Sequence, residues 1–159
     1  MDQYSRKIVG FAVNQGPVSG INLCCMFNKI IGSASPLKRL SHDNDPLFHF
    51  HQWACNMSAC EIDEIWSVPY TPTSHPYCER LIGTVRREFV DRILFWNEYD
   101  LAKKLASYQR YFNDARVHAG IDGGRPSLKY SGRKFKQGTP SSLRWVSYCR
   151  GLFTVPEVA

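Results

Sequence analysis

The sequence predicts an α/β fold, and three observations carry that expectation. Runs rich in β-branched and aromatic residues at Lys7–Val13, Leu37–Ser41 and Cys60–Val68 read as strands. Stretches with apolar residues at helical spacing lie between and after them. Turn formers at Asn14–Pro17, Gly32–Pro36 and Pro69–His75 separate the two kinds of segment.

Asp2 to Arg6 reads as a turn leading into the Lys7–Val13 strand. From Val18 to Ile31, the residues Ile21, Leu23, Cys24, Cys25, Phe27, Ile30 and Ile31 predict a largely buried helix, ended by Gly32–Pro36. The strand Leu37–Ser41 delivers Asp43 at its C-terminal end, the end of strands that ligand sites in α/β sheets favour. Pro46 admits a helix over about Leu47–Met57, with Phe48, Trp53 and Met57 as packing candidates. The strand Cys60–Val68 offers Ile62, Ile65, Trp66 and Val68 as apolar contacts.

After a loop over Pro69–His75, Ser74 suits an N-cap and Pro76 a first helical turn. At about 100° per residue, Cys78, Ile82, Val85, Phe89 and Ile93 share one side, so the helix is expected to run to about Phe95. Glu79 falls in its first turn, where the helix dipole favours a carboxylate. Arg86 projects within about 20° of Glu79 on an ideal helix. Asn97 and Asp100 are candidate caps for a further helix, whose stripe Leu101, Leu105, Tyr108 and Phe112 reads as core. Asn113–Pro126 is a polar, glycine-containing exit. Lys129–Lys136 is basic and Gly138–Ser142 flexible, while Trp145, Tyr148 and Phe153 in the tail are expected to pack back on the domain.

With 159 residues, 43% hydrophobic and 21% charged, the chain suits one globular domain. A net charge of +6 suits a polyanionic partner without proving one. Six scattered cysteines do not make the dense framework of a disulfide scaffold. His49, His51, Cys55 and Cys60 can be assembled into a zinc set, but their spacing fits no standard pair of ligand knuckles. No apolar run approaches the length of a membrane span and no signal peptide is read, so no membrane partner is expected and a reducing cytoplasm is the expected compartment.

Taken alone, Glu79 reads as a solvated acid at a helix start beside an ordinary basic face. Its pairing with an upstream segment gives it meaning. Asp43-Asn44-Asp45-Pro46-Leu47-Phe48 is followed, with 35 residues between Asp43 and Glu79, by His75-Pro76-Tyr77-Cys78-Glu79-Arg80. On these motifs the chain resembles the retroviral-type integrase family, and more narrowly the DDE transposases of bacterial insertion sequences, from about Met1 to Pro126. The resemblance implies a ribonuclease H-like integrase core, a mixed sheet flanked by helices. It divides the chain into a partial catalytic core, residues 1–126, and a basic and aromatic tail, residues 127–159.

That resemblance implies metal-dependent cleavage of DNA 3' ends and strand transfer, serving DNA transposition or integration. Asp43 and Glu79 would be catalytic and would bind Mg²⁺ or Mn²⁺, hard cations that take oxygen ligands. Arg80, Arg86 and Arg87 would meet DNA phosphates, and His75 and Tyr77 are candidates for contacting the DNA end. Asp45 reads instead as a turn residue holding the following helix. Partners would be mobile-element ends and target DNA, with a homo-oligomer or a full-length transposase also possible, in a bacterial cytoplasm and on the nucleoid when bound to DNA.

One departure matters. The family's first Asp lies on a strand upstream of the segment matching Asp2–Arg6, and Asp2 itself matches a turn position. The first strand and most of the second are therefore expected to be lacking, leaving metal binding weak or incomplete and the chain inactive alone. The alternatives are a non-catalytic DNA-binding module and a regulatory fragment that pairs with an intact transposase.

Overall fold

The computed structural model describes residues 1–32, 37–67, 76–121, 123–127 and 139–158. The chain divides into two compact units, one of Ala12–Glu98 and one of Met1–Phe11 with Tyr99–Ala159.

In the first unit, helix α1 spans Gly20–Ile31 and is capped by Ser19, whose side chain accepts the Asn22 N–H. Strand β1, Arg39–His42, pairs in parallel with β2, Asp63–Trp66, in the register Arg39↔Asp63 to His42↔Trp66. Parallel neighbours need a crossover. Here it is a 3₁₀ turn, Pro46–His49, followed by helix α2, His51–Ala59. The single helix expected over Leu47–Met57 is thus broken, because Phe50 takes an extended conformation (φ −67°, ψ 138°). Trp53 and Met57 of α2 are buried with Cys24 of α1 and Ile62, and Leu23, Phe27, Leu40 and Phe48 pack against them. Phe27 and Phe48 both meet the Trp53 ring edge-on, at 5.0 and 5.2 Å.

The expected strand over Cys60–Val68 is shorter in the structure for a local reason. Cys60 and Glu61 close α2: the Cys60 N–H bonds Asn56 C=O and the Ile62 N–H bonds Met57 C=O. Glu61 takes a left-handed conformation (φ 54°) to allow this. Pairing therefore begins at Asp63. Ile65 and Trp66, expected as apolar contacts, are exposed.

Helix α3 spans Pro76–Glu88 and stops short of Phe95. Phe89 leaves helical geometry (φ −131°, ψ −62°), Val90–Arg92 forms a 3₁₀ turn, and Ile93 is extended. The predicted stripe survives at its C-terminal half, where Val85 and Phe89 are buried, while Ile82 is exposed. Ser74, the expected cap, lies outside the described residues.

The second unit is organised on helix α4, Glu98–Asp114, which buries Leu105, Tyr108, Tyr111, Phe112 and Asn113. The expected stripe holds, with Leu101 half-buried at its start. Strands β3 (Leu143–Tyr148) and β4 (Phe153–Val158) form an antiparallel hairpin. Phe153 stacks on Tyr111 with centroids 4.0 Å apart, and Tyr148 lies 5.8 Å from the same ring. Trp145, expected to join them, is exposed. Tyr148 also donates to Glu157 at 2.7 Å. Burial, reinforced by that bond to a carboxylate, pushes the Tyr148 phenol up to about 12. The basic stretch Lys129–Lys136 lies outside the described residues.

The N-terminal segment departs from expectation. Asp2 does make the predicted turn, accepting from the Tyr4 and Ser5 N–H groups and from the Ser5 hydroxyl. Burial alone would raise the Asp2 carboxyl, but these bonds hold it below its ordinary value. Lys7–Val13, however, joins no strand ladder among the described residues. Side chains of α4 do the work of a neighbouring strand. Asn113 accepts the Ile8 N–H at 2.9 Å and donates to the Ile8 C=O at 3.0 Å, and Gln109 donates to the Ile8 and Val9 carbonyls.

Asn113→Leu should therefore leave the Ile8 N–H unpartnered in a buried place while its C=O keeps Gln109, lowering urea-unfolding stability by about 1–3 kcal/mol. A loss below about 0.5 kcal/mol would show that water replaces the amide. For Tyr148 the sign is set by its raised value. The native state holds the phenol proton above pH 10, where an unfolded tyrosine loses it, so stability should decline between about pH 10 and 12. Tyr148→Phe should remove that component, so the difference in unfolding midpoint between the two proteins should change across this window.

Candidate active-site acids and basic helix

The β1–β2 ladder sets the first acid. Hydrogen bonding runs one step past the strand ends, with the Ser67 N–H donating to His42 C=O at 3.2 Å. The Asn44 side chain ties the next residue across, donating to Ser67 C=O at 3.1 Å. Asp43 sits between these ties, exposed, at the C-terminal end of β1. Its Oδ1 accepts the Asp45 N–H at 3.3 Å. Asp45 caps the 3₁₀ turn, accepting the Leu47 N–H at 2.8 Å, the turn role expected for it.

Glu79 lies in the first turn of α3 and is exposed. It belongs to the same compact unit as Asp43. Arg80, Arg86 and Arg87 are exposed along α3. Arg86 comes within 3.9 Å of Asp91, but both side chains are mostly in water, where such a pair is worth little. Arg87 folds back along the helix over Gly83, its guanidinium 3.4 Å from where a Cβ at Gly83 would stand. Tyr77 is exposed in the first turn, and His75 lies outside the described residues. Among the described residues no three His, Cys, Asp or Glu side chains gather closely enough to hold a metal ion. That applies to the zinc set of His49, His51, Cys55 and Cys60, and no third such side chain among the described residues joins Asp43 and Glu79.

Beneath Asp43 lies a polar cluster that the sequence reading missed. His42 is buried. Its Nε2 lies 2.9 Å from Glu64 Oε1, and Trp53 Nε1–H donates to the same oxygen at 2.6 Å. Alternation offered a signal: Glu64 falls between Ile62 and Trp66 on one face of β2, an acid where a strand buried on that face would carry an apolar residue.

The fold is similar to that of retroviral integrase catalytic cores. The catalytic core domain of BIV integrase matches over 81% of this chain and 80% of that one, at 20% sequence identity and a TM-score of 0.59. A chain of the simian T-cell lymphotropic virus intasome, solved in complex with PP2A regulatory subunit B56 gamma, matches over 82% of this chain at 15% identity and a TM-score of 0.60. This chain covers 49% of that one. Residues 61–126 match the family model of the integrase core domain. The resemblance to an integrase catalytic core, drawn from two motifs, is borne out in the fold and in the family match over residues 61–126. The matched segment includes Glu79 and the three arginines, while Asp43 lies upstream of it. No curated protein matches the sequence.

If Asp45 acts as a cap, Asp45→Ala should cost about 1 kcal/mol in urea unfolding. An unchanged midpoint would remove Asp45 from that role.

Proposed function

We propose that the chain is a catalytic-core segment of a DNA integrase or transposase, which acts on mobile-element ends and target DNA. The observation that carries this reading is the placement of Asp43 and Glu79. Both are exposed in one compact unit, one closing a parallel strand and the other opening a helix lined with arginine. The core chemistry is assigned to residues 1–126, with residues 127–159 as a basic and aromatic tail.

The donor set fits a hard divalent cation in kind. Asp43 and Glu79 offer carboxylate oxygens, which Mg²⁺ and Mn²⁺ prefer. It falls short in number, since no third acid joins them among the described residues. When bound, such an ion neutralises charge on a phosphodiester and lowers the pKa of its water. The chain's own residues have simpler tasks. Asp43 and Glu79 would bind one cation weakly, and Arg80, Arg86 and Arg87 would hold the backbone of the DNA end, with Tyr77 and His75 beside it. By itself this 159-residue chain would be inactive. Its setting would be a bacterial cytoplasm, on the nucleoid, either with itself or with a full-length transposase.

A second reading, a DNA-binding module without chemistry, is favoured by the exposed arginines of α3. One set of measurements separates the two. On a duplex bearing a mobile-element-like end, with Mn²⁺, the chain should show no nicking or strand transfer. Metal-dependent activity that Glu79→Gln abolishes would overturn the inactivity. DNA affinity should fall steeply with salt, and replacing Arg80, Arg86 and Arg87 by Ala should reduce the slope of log K against log salt by about 2–3. Asp43→Asn should leave metal-free affinity unchanged under either reading. Uptake of Mn²⁺ that both Asp43→Asn and Glu79→Gln remove would favour the catalytic-core reading, and its absence the binding module. Co-purification with a full-length relative in the absence of DNA would favour a regulatory fragment.

A further inference from the structure

His42 is the residue immediately before Asp43, and each edge of its ring is occupied. Nδ1 lies 2.9 Å from the main-chain oxygen of Asp43. A carbonyl oxygen only accepts, so Nδ1 carries a hydrogen and donates it there. Nε2 faces Glu64 Oε1 at 2.9 Å, and that oxygen is itself held by the indole N–H of Trp53. The faces of the ring are fixed too. Phe48 stacks on it at 4.4 Å, and Trp66 meets it nearly perpendicular at 4.3 Å. The chain Trp53–Glu64–His42 thus runs from the core of α2, through β2, to the peptide joining Asp43 to Asn44.

We infer that His42 is a positioning residue for Asp43, pinning the Asp43–Asn44 peptide so that the carboxylate is presented at the strand end in one orientation. This rests on the reading of Asp43 as a cation-binding acid. Without the pin, that peptide could rotate, and the Asp43 side chain would move with it. The remaining ties on the loop, Asn44 to Ser67 and Asp45 to Asp43, are made by exposed residues. The ring of His42 is the buried anchor. Groups that orient a ligand residue without touching the metal change affinity by about 10–100-fold when removed.

The test is His42→Phe, which keeps a ring between Phe48 and Trp66 but lacks both nitrogens. Amide hydrogen exchange at Asp45, whose N–H bonds Asp43 Oδ1, and at Ser67, whose N–H bonds the His42 C=O, should rise about tenfold, with α2 and the rest of β1 unchanged. Mn²⁺ affinity, read from the free-ion electron paramagnetic resonance signal, should fall by about tenfold. His42→Asn, whose amide places a donor where Nδ1 stands, should restore most of the protection. Wild-type exchange at Asp45 and Ser67 in His42→Phe, or acceleration spread evenly through β1 and β2, would overturn the positioning role. Should the wild-type chain take up no Mn²⁺, or Asp43→Asn take up as much as wild type, the cation-binding reading falls instead. The exchange measurement then still decides whether His42 pins the loop.

Discussion

The four-residue parallel ladder between β1 and β2 is the constraint on which the candidate site depends. It is short, and a pair of this length draws its stability from what covers it. Trp53, Met57 and Phe48 supply that cover in the first unit, with Leu40 of β1 packed against them. Register then decides which side chains face the candidate site. A slip of one residue would exchange the two faces of the strand, carrying His42 toward water and reversing the side chains around it. The buried His42 and the exposed Asp43 are thus two consequences of one alignment. The ties from Ser67 to His42 and from Asn44 to Ser67 extend that alignment past the last paired residues.

Much of this was legible from the residues. The strand before Asp43, the helix opening at Pro76 and the stripe of Leu105, Tyr108 and Phe112 follow from periodicity and from proline and glycine punctuation. The spacing of Asp43 and Glu79, with the motifs around them, pointed to the fold that the structural neighbours share. What escaped depends on contacts distant in sequence or on local backbone geometry. Lys7–Val13 has strand-like composition, yet its backbone at Ile8 is satisfied by Asn113, 105 positions away. No pattern within the segment reveals that partner. Likewise the break at Phe50, between the 3₁₀ turn and α2, and the left-handed Glu61, between α2 and β2, are local backbone solutions. Apolar content at Phe50 and Cys60–Ile62 concealed them. The early end of α3 at Phe89 occurred where the apolar spacing still fitted a helix, so periodicity could not locate it.

The polar cluster below Asp43 was missed because it spans two strands diagonally. His42 pairs with Trp66 across the ladder, and Leu40 with Glu64, so the His42–Glu64 contact appears only once the parallel register is known. A histidine and a glutamate 22 positions apart carry no local signature.

Glu64 raises a sharper question, since it is a carboxylate within one histidine of Asp43 and could be taken for a third acid. Its bonding argues against that. Oε1 already meets both Trp53 Nε1 and His42 Nε2, and only 18% of the side chain is exposed. Drawing that oxygen toward a cation would strand two buried nitrogens, at about 1–3 kcal/mol each. A weakly held ion could not offset such a loss, whereas the same carboxylate left in place keeps His42 aligned. Glu64 is therefore better understood as the anchor of the acid above it than as a ligand beside it.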